Sequence, residues 1–226
     1  MVIAYCANRS IYHLLPTTLN SLLTNNSNIS KIYLIIEDDE IPFIRHPKIK
    51  FINCNQFDFI LRDGLNITKR FTYMALARCI LSKILKEDKI IYLDVDTIVD
   101  GSLNELWNTT LGQNLISGVF EAEGYCNSGV MLMDLRKIRL GKYDDSLLRM
   151  LKFAKLLLPD QDAINLIFKG KIKELDKKFN ALGRHDHVYG KQEIIIRHFA
   201  GIVKPWADGA ATEDIEFWNK YKIEEI

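Results

Sequence analysis

Short apolar runs alternate with segments of helical spacing in the first part of the chain. Residues 2–6, 31–37 and 49–53 are β-rich apolar runs that are typical of buried strands. Between the first two runs, leucines recur at helical spacing within residues 14–23, and Pro16 suits the opening turn of a helix. This alternation of strands and helices indicates an α/β fold with a Rossmann-like nucleotide-binding sheet.

The remainder of the chain repeats the pattern, with one polar segment near its middle. The predicted helices lie at 74–85, 137–158, 160–168 and 214–226, and the further predicted strands at 90–93, 116–119, 129–133, 172–175 and 194–198. The polar residues 121–128 are predicted to form a loop between two of these strands. Neither a G-x-G-x-x-G fingerprint nor a P-loop is present, so we do not expect a dinucleotide ligand.

The most informative segment is the apolar run 90–93, which ends in Asp94-Val95-Asp96. Ligands of open α/β sheets bind at the carboxyl ends of strands, and in an extended chain residues i and i+2 point the same way. Two adjacent carboxylates repel each other unless a cation or a proton lies between them, and Mg²⁺ or Mn²⁺ would meet that need. A lone Asp-x-Asp also occurs at turns and helix caps, so this motif alone leaves both interpretations open.

Composition narrows the class of protein. The 226 residues fit one large domain, with 48% hydrophobic and 26% charged residues as in ordinary soluble proteins. A net charge of +1 and scattered Lys and Arg argue against a nucleic-acid partner. The four separated cysteines predict buried, reduced thiols rather than disulfides or a zinc site. Without a signal peptide or a transmembrane run of about 20 apolar residues, we expect a cytoplasmic protein.

Five short motifs then occur in one order along the chain. They are Ala7-Asn8, Leu93-Asp94-Val95-Asp96, the segment 125–130 (YCNSGV), Asp160-Gln161-Asp162, and the segment 198–206 (HFAGIVKPW). The ordered set resembles family eight of the glycosyltransferases, the group of glycogenin and the bacterial lipopolysaccharide galactosyl- and glucosyltransferases. The resemblance implies a single GT-A domain over 1–226, with a mixed, mainly parallel central sheet flanked by helices. Its nucleotide-binding half would be about 1–100, and its donor and acceptor half about 101–226.

The same resemblance implies a metal site. Asp94, Asp96 and His198 match the family's metal ligands, and an imidazole beside two carboxylates suits Mn²⁺ better than Mg²⁺, although Mg²⁺ is possible. A histidine beside apolar residues is often a packed core residue, but the Lys-Pro-Trp motif that follows favours the metal interpretation here. Lys204 matches the lysine that contacts the diphosphate, and Gly201 would let the backbone approach the phosphates.

A second group of residues matches positions around the donor sugar. Asn127 and Ser128 match a loop that touches the sugar, and Arg78 matches an arginine that reaches the donor. Asp160 and Gln161 match the pair beside the anomeric carbon of a configuration-retaining enzyme. Retention normally uses a carboxylate nucleophile, so three mechanisms stay open: a weak amide nucleophile, same-face attack through an ion pair, and Asp160 as nucleophile.

The match to the nucleotide-base site is less complete. The family commonly has an aspartate where Asn8 stands, although an asparagine still offers an acceptor to the uracil N–H. The aromatic residue that stacks on uracil would be Tyr12, since the ungapped register places Ile11 there and Tyr12 next to it. Ala7 and Val95 are expected to complete the donor site.

The resemblance therefore predicts a metal-dependent, retaining glycosyltransferase that moves a hexose from a UDP-sugar to a glycan or another hydroxyl acceptor. A haloacid-dehalogenase-type phosphohydrolase is one alternative, but that class needs a threonine four residues after the first aspartate, and Ile98 stands there. A catalytically inactive nucleotide-sugar-binding protein is another alternative. The chain still has every residue of the expected metal and diphosphate site, which argues against this alternative: Asp94, Asp96, His198 and Lys204.

Overall fold

A seven-stranded sheet forms the centre of the computed structural model, which describes residues 1–69, 71–182 and 194–226. The strands in the described residues are β1 Val2–Cys6, β2 Lys31–Ile36, β3 Ile49–Asn53, β4 Lys89–Leu93, β5 Thr97–Val99, β6 Ile116–Ala122, β7 Tyr125–Asp134, β8 Ile172–Glu174, β9 Ala181–Leu182 and β10 Ile196–His198. The order in the large sheet is β3-β2-β1-β4-β7-β6-β8. Only β7 runs against its neighbours β4 and β6, so the predicted mixed, mainly parallel α/β sheet is confirmed.

Helices cover both faces of this sheet. They are α1 Leu15–Asn25, α2 Tyr73–Leu76, α3 Leu81–Ile84, α4 Asn104–Asn108, α5 Leu135–Leu140, α6 Tyr143–Phe153, α7 Pro159–Ile167 and α8 Thr212–Asn219. Short 3₁₀ turns occupy Arg9–Leu14, Cys54–Gln56, Ala77–Ile80 and Lys177–Phe179. None of the helices in the described part of the chain is long and apolar enough to cross a membrane.

Strand β4 is buried on both faces, as its uninterrupted apolar sequence predicts. Ile91 and Leu93 join the core that contains α1, whereas Ile90 and Tyr92 join the core under α3 and α5–α7. All four side chains are fully buried, and burial of each large apolar side chain contributes about 1.5–3 kcal/mol. The strand that carries Asp94 and Asp96 at its end is therefore held firmly between two cores.

A second, three-stranded sheet of order β5-β10-β9 returns the C-terminal part of the chain to the end of β4. Its antiparallel pair sets His198 opposite Thr97, directly after Asp96. The amide of Phe199 also donates to the carbonyl of Asp96, at 3.0 Å. The sequence analysis missed β5 and β9 because each is too short for a periodic pattern, although Thr97-Ile98-Val99 has β-branched residues throughout.

The prediction of a loop at 121–128 was wrong. Strand β6 continues to Ala122 and β7 begins at Tyr125, so only a tight turn separates them. Gly124 accommodates that turn with a φ of +69°, a conformation that favours glycine. Asn127 and Ser128 consequently lie on a strand, and they resemble loop residues in sequence because polar side chains line the cleft there.

Three predicted helices are also shorter or interrupted. The segment 74–85 is divided by the 3₁₀ turn Ala77–Ile80, and 137–158 is interrupted at Gly141, where Lys142 takes a left-handed φ of 53°. The terminal helix ends at Asn219. The four cysteines are buried and free, as predicted.

Candidate active site

A cleft of about 990 Å³ lies where β4 ends. Most of the predicted site residues line it: Arg78, Asp94, Asp96, Asn127, Ser128, Asp160, Gln161, His198, Gly201 and Lys204. These residues come from five parts of the chain, and the sheet topology brings them together. The cleft therefore coincides with the edge at which open α/β sheets bind ligands.

Three side chains in the cleft form the one cluster of potential metal ligands found among the described residues. Ligand atoms of Asp94, Asp96 and His198 all lie within 4.8 Å of one another. His198 Nε2 is 3.3 Å from Asp96 Oδ1 and 3.7 Å from Asp94 Oδ2. Two carboxylate oxygens and an imidazole nitrogen at such spacing fit a divalent ion that accepts mixed O and N ligands.

Gly129 makes room for this cluster. A Cβ atom at this position would lie 2.1 Å from Cε1 of His198 and 2.9 Å from Oδ2 of Asp94. The Gly129 carbonyl accepts from the amide of Asp94 at 2.8 Å, which fixes β7 against the end of β4. Any larger residue at 129 would push the histidine away from the carboxylates.

Asp94 is held by groups inside the protein. Arg78 Nη1 donates to Asp94 Oδ2 at 2.9 Å, and Nη2 lies 2.8 Å from Oδ1, so the contact is bidentate. The Tyr92 hydroxyl donates to Oδ1 at 2.6 Å. Burial raises the pKa of Asp94, and the neighbouring Asp96 adds to that rise while Arg78 opposes it. Arg78 itself is buried, and its anionic neighbours keep its pKa above the usual value despite burial.

Asp96 has different partners, which are the last residue of β10, His198, and a lysine in the segment after it. Lys204 Nζ donates to Asp96 Oδ2 and to the carbonyl of Phe199, both at 2.6 Å. Burial alone would raise the pKa of Asp96, but His198 and Lys204 outweigh it and hold the pKa below its usual range. Asp96 therefore stays an anion at neutral pH.

The start of α7 packs against β7 and forms the opposite wall. The Ser128 hydroxyl donates to Asp160 Oδ2 at 2.9 Å, and the Ser128 amide donates to Gln161 Oε1 at 3.1 Å. Arg78 Nε lies 3.2 Å from Asp160 Oδ2, so one guanidinium contacts carboxylates of both β4 and α7. Asp160 and Gln161 are both buried, and Pro159 at the helix start suits the first turn.

Asn127 belongs to a buried chain of amides. Its Oδ1 accepts from the Gly129 amide at 2.9 Å and from Asn180 Nδ2 at 2.8 Å, while its Nδ2 donates to Glu121. Asn180 Oδ1 in turn lies 2.8 Å from His198 Nδ1. This chain connects the potential metal ligand to the turn of the β6–β7 hairpin.

Four predicted donor-site residues do not line this cleft, although they lie in the segments that follow β1 and β4. Ala7 is buried, and its amide donates to the carbonyl of Ile35 at 3.0 Å. Asn8 Nδ2 donates to Thr72 Oγ1 at 3.3 Å. The Tyr12 hydroxyl donates to Asp38 at 3.1 Å, and the Val95 carbonyl accepts from Thr18 at 2.6 Å. Their assignment to the donor stays a prediction.

Four residues that support the site were not predicted from the sequence as functional. Tyr92 was interpreted only as a buried strand residue, and Gly129 only as part of a motif. Glu121 and Asn180 carried no signal, since each lies near a turn among other polar residues. A clue did exist for Tyr92, because positions i and i+2 of a strand face the same way and the second of these is Asp94.

A family model described as "Glycosyl transferase family 8" matches residues 2–210. The chain belongs to this glycosyltransferase family. The match contains every motif of the predicted set, from Ala7 to Trp206. The recognition made from the sequence motifs is thus confirmed.

Several curated proteins are similar to this family 8 chain over part of their length. A putative glycosyltransferase of Haemophilus influenzae is 29% identical over 174 residues, which are 64% of this chain and 53% of that protein. Glycosyltransferase GlyE of Streptococcus pneumoniae is 25% identical over 237 residues, which are 92% of this chain and 57% of GlyE. The lipopolysaccharide 1,2-glucosyltransferase of Escherichia coli is 29% identical over 60% of this chain and 50% of its own. The chain thus spans about half the length of these relatives.

Solved structures of other glycosyltransferases share the fold. The crystal structure of GlyE superposes with a TM-score of 0.77 at 23% identity, covering 97% of this chain and 59% of GlyE. An active-site mutant of LgtC gives a TM-score of 0.79 at 21% identity, covering 98% of this chain and 95% of LgtC. The fold is therefore GT-A, as the motifs implied.

Proposed function

We propose that this family 8 chain is a metal-dependent, retaining glycosyltransferase that moves a hexose from a UDP-sugar to a hydroxyl of a glycan or glycoconjugate. The observation that carries the proposal is one cleft in which Asp94, Asp96 and His198 converge beside Lys204 and face Gln161 on the opposite wall. The cleft thus combines a candidate cation site, a fixed ammonium group and polar groups suited to a sugar.

The residues present fit a divalent cation, and we propose Mn²⁺, with Mg²⁺ as the possible substitute. Asp94 and Asp96 would supply oxygen ligands and His198 a nitrogen ligand. When bound, the ion would supply Lewis-acid stabilisation of the charge that develops on the leaving diphosphate. The absence of a side chain at Gly129 supports this assignment, since a methyl group there would overlap His198 and crowd Asp94.

Lys204 is proposed to bind the diphosphate. Its ammonium group lies 2.6 Å from Asp96 and its side chain is about one quarter exposed, so it can shift to an anionic ligand without leaving the cleft. A fixed cation aimed at the leaving group stabilises the transition state more than the ground state. At Gly201, the nearest contact of a built Cβ within the described residues is the Val203 carbonyl oxygen, 3.6 Å away, so the backbone there leaves space for phosphate oxygens.

Asp160 and Gln161 are proposed to orient the donor sugar. Gln161 Oε1 already accepts from a backbone amide, and Asp160 is held by Arg78 and Ser128. Hydrogen bonds and ion pairs lower the nucleophilicity of both oxygens. Among the three mechanisms that the sequence left open, we therefore favour same-face attack, with these side chains stabilising the developing positive charge on the sugar.

The base and the sugar acceptor are assigned by the family resemblance. We propose that Ala7, Asn8, Tyr12 and Val95 hold the uridine. Ala7 and Asn8 directly follow β1, Tyr12 lies in the 3₁₀ turn after them, and Val95 lies between the two aspartates that follow β4. Two relatives support a hexose donor and a sugar acceptor. One is a lipopolysaccharide 1,2-glucosyltransferase, and the other is LgtC, which has been crystallised in complex with donor and acceptor sugar analogs. Action in the cytoplasm is part of the same proposal.

Family membership weakens the alternative of a phosphohydrolase, so the remaining alternative is a family 8 chain that binds nucleotide sugar without transferring it. The test is UDP release from UDP-glucose and UDP-galactose with a panel of glycan acceptors, in Mn²⁺ or in EDTA, with NMR of the product anomer. We expect an α-linked product that forms only with the metal. Binding of UDP without any transfer would favour the inactive alternative.

Two variants assign the roles. Asp96→Ala should abolish metal-dependent UDP release while the protein stays folded, and unchanged turnover would contradict the metal assignment.

Gln161→Ala should lower transfer far more than UDP binding, because the Gln161 side chain acts on the sugar and not on the nucleotide. Equal losses in transfer and in UDP binding would mean that Gln161 has another role.

A further inference from the structure

Asn180 is a fully buried side chain that no motif singled out. It follows the 3₁₀ turn Lys177–Phe179 and lies between two residues of the candidate site. Its amide spans from Asn127 Oδ1, at 2.8 Å, to His198 Nδ1, also at 2.8 Å. A buried amide in that position has one donor and one acceptor committed to specific partners.

The directions of these hydrogen bonds follow from their surroundings. Asn127 Oδ1 accepts from the Gly129 amide, a group that can only donate. Asn127 therefore presents an oxygen to Asn180, and the Asn180 Nδ2 must face it as the donor. The Asn180 Oδ1 is left to face His198, so the neutral imidazole must carry its proton on Nδ1.

This orientation matters because the other imidazole nitrogen faces two carboxylates. His198 Nε2 is 3.3 Å from Asp96 Oδ1 and 3.7 Å from Asp94 Oδ2. Without an acceptor at Nδ1, those carboxylates would favour a proton on Nε2, which would then donate to them. A proton on Nε2 blocks metal coordination, since a metal needs the lone pair of that nitrogen.

We propose that Asn180 is a positioning residue that holds the proton of His198 on Nδ1 and so keeps the Nε2 lone pair directed at the cation site. The inference rests on the proposed metal-dependent function. It adds a second role, because the same amide ties the metal ligand to Asn127 on β7. Outer hydrogen bonds of this kind typically change metal affinity by about 10–100-fold.

The experiment compares Asn180→Ala, Asn180→Asp and a matched control, Asn26→Ala. Asn26 is also buried and makes hydrogen bonds to the backbone of Leu22, Gly101 and Leu103, none of which lines the cleft. Nitrogen-15 NMR of the metal-free protein, at a pH where the imidazole is neutral, reports which nitrogen of His198 carries the proton. Mn²⁺ titration followed by electron paramagnetic resonance reports the dissociation constant.

We expect an Nδ1–H imidazole in the wild type and the Asp variant, since a carboxylate still accepts from Nδ1. Asn180→Ala should shift the proton toward Nε2 and weaken Mn²⁺ binding by about 10–100-fold. The control Asn26→Ala should lower thermal stability without changing the tautomer of His198 or the dissociation constant of Mn²⁺. An Nε2–H imidazole in the wild type, or unchanged Mn²⁺ affinity in Asn180→Ala, would overturn the inference.

The two readouts separate this inference from the proposed function. If wild-type protein fails to bind Mn²⁺, the metal-dependent function is contradicted. The tautomer measurement still decides whether Asn180 directs the proton of His198. If the wild type binds Mn²⁺ and the Ala variant binds equally well, the function survives and the role of Asn180 is wrong.

Discussion

The two aspartates of the Asp-x-Asp motif lie two residues apart, yet different parts of the molecule hold them. Asp94 is fixed by Arg78 and Tyr92, which lie in the protein interior. Asp96 is fixed by His198, the last residue of β10 in the second sheet, and by Lys204, which follows that sheet. The side chain of Arg78 is 11% exposed, whereas that of Lys204 is 27% exposed. The arginine that pairs with Asp94 thus lies deeper in the protein than the lysine that pairs with Asp96.

This difference in partners produces opposite electrostatic behaviour. Burial raises the pKa of Asp94 even though Arg78 is paired with it, whereas His198 and Lys204 lower the pKa of Asp96 against the effect of burial. Substitution of Arg78 should therefore act mainly on stability. The Asp96 half should respond mainly through ligand binding and turnover.

The largest effect is expected from Arg78→Met. Removing the guanidinium leaves Asp94 and Asp160 as buried carboxylates without a cation, and breaking a buried ion pair in this way costs about 3–5 kcal/mol. Calorimetric unfolding of the metal-free protein measures the loss. A change below about 1 kcal/mol, as for an exposed pair, would show that Arg78 is not part of the core.

Gly129→Ala tests whether the Asp94 half and the Asp96 half of the site meet at Gly129, where Asp94 and His198 both lie close to the backbone. The new methyl group would overlap His198, whose Cε1 lies 2.1 Å from the built Cβ, so the imidazole has to move. We expect Mn²⁺ affinity to fall by at least the roughly 10-fold that outer-ligand mutations produce, as measured by isothermal titration calorimetry. Gly201→Ala, where the nearest atom is 3.6 Å away, should keep the metal affinity. Wild-type affinity in Gly129→Ala would disprove the steric argument.

Lys204→Met is the counterpart of the arginine substitution on the other half. Its ion pair with Asp96 is partly exposed, so stability should change by no more than about 1 kcal/mol. Turnover with a UDP-sugar should fall roughly 10²–10³-fold, the effect of losing one donor to a developing anion. Initial-rate kinetics measures the loss of turnover, and thermal unfolding of the same sample measures the change in stability. Stability losses as large as those of Arg78→Met would remove the distinction between the halves.

The smallest effect is a difference in the order of protonation. Because the pKa of Asp94 is raised and that of Asp96 is lowered, acidification of the metal-free protein should protonate Asp94 first. Carbon-13 NMR of the two carboxyl groups follows each proton separately. Protonation of Asp96 at the higher pH would mean that Lys204 and His198 do not hold its charge.

The comparison also explains how much of the site the sequence could predict. Asp94, Asp96 and Lys204 occur in motifs whose spacing is local, and the structure brings their side chains into one cleft. Their partners depend on tertiary packing. The bidentate contact of Arg78 with Asp94 and its contact with Asp160 need three separate elements, and Asn180 joins two strands that are distant in sequence.

The strands could be predicted where the apolar pattern was strong, and they were missed where the strand was too short to show a pattern. The strands β1, β2 and β4 follow from apolar runs that are buried on both faces. The two short strands β5 and β9 have no period to detect, yet the sheet they form with β10 brings His198 to Asp96. Polar residues at 127 and 128 predicted a loop, because a strand end that lines a cleft has the same composition as a loop.

The most direct test of the account is thermal unfolding of the protein with UDP, GDP or CDP, each in Mn²⁺ or in EDTA. A ligand at 100 times its dissociation constant stabilises a protein by about 2.7 kcal/mol. At roughly 2–4 °C per kcal/mol for a chain of this size, the rise in Tm would be roughly 5–11 °C. We predict such a rise with UDP and Mn²⁺ together, and its loss in EDTA. No rise with any nucleotide, or an equal rise in EDTA, would contradict a cation-dependent nucleotide site built on Asp94, Asp96 and His198.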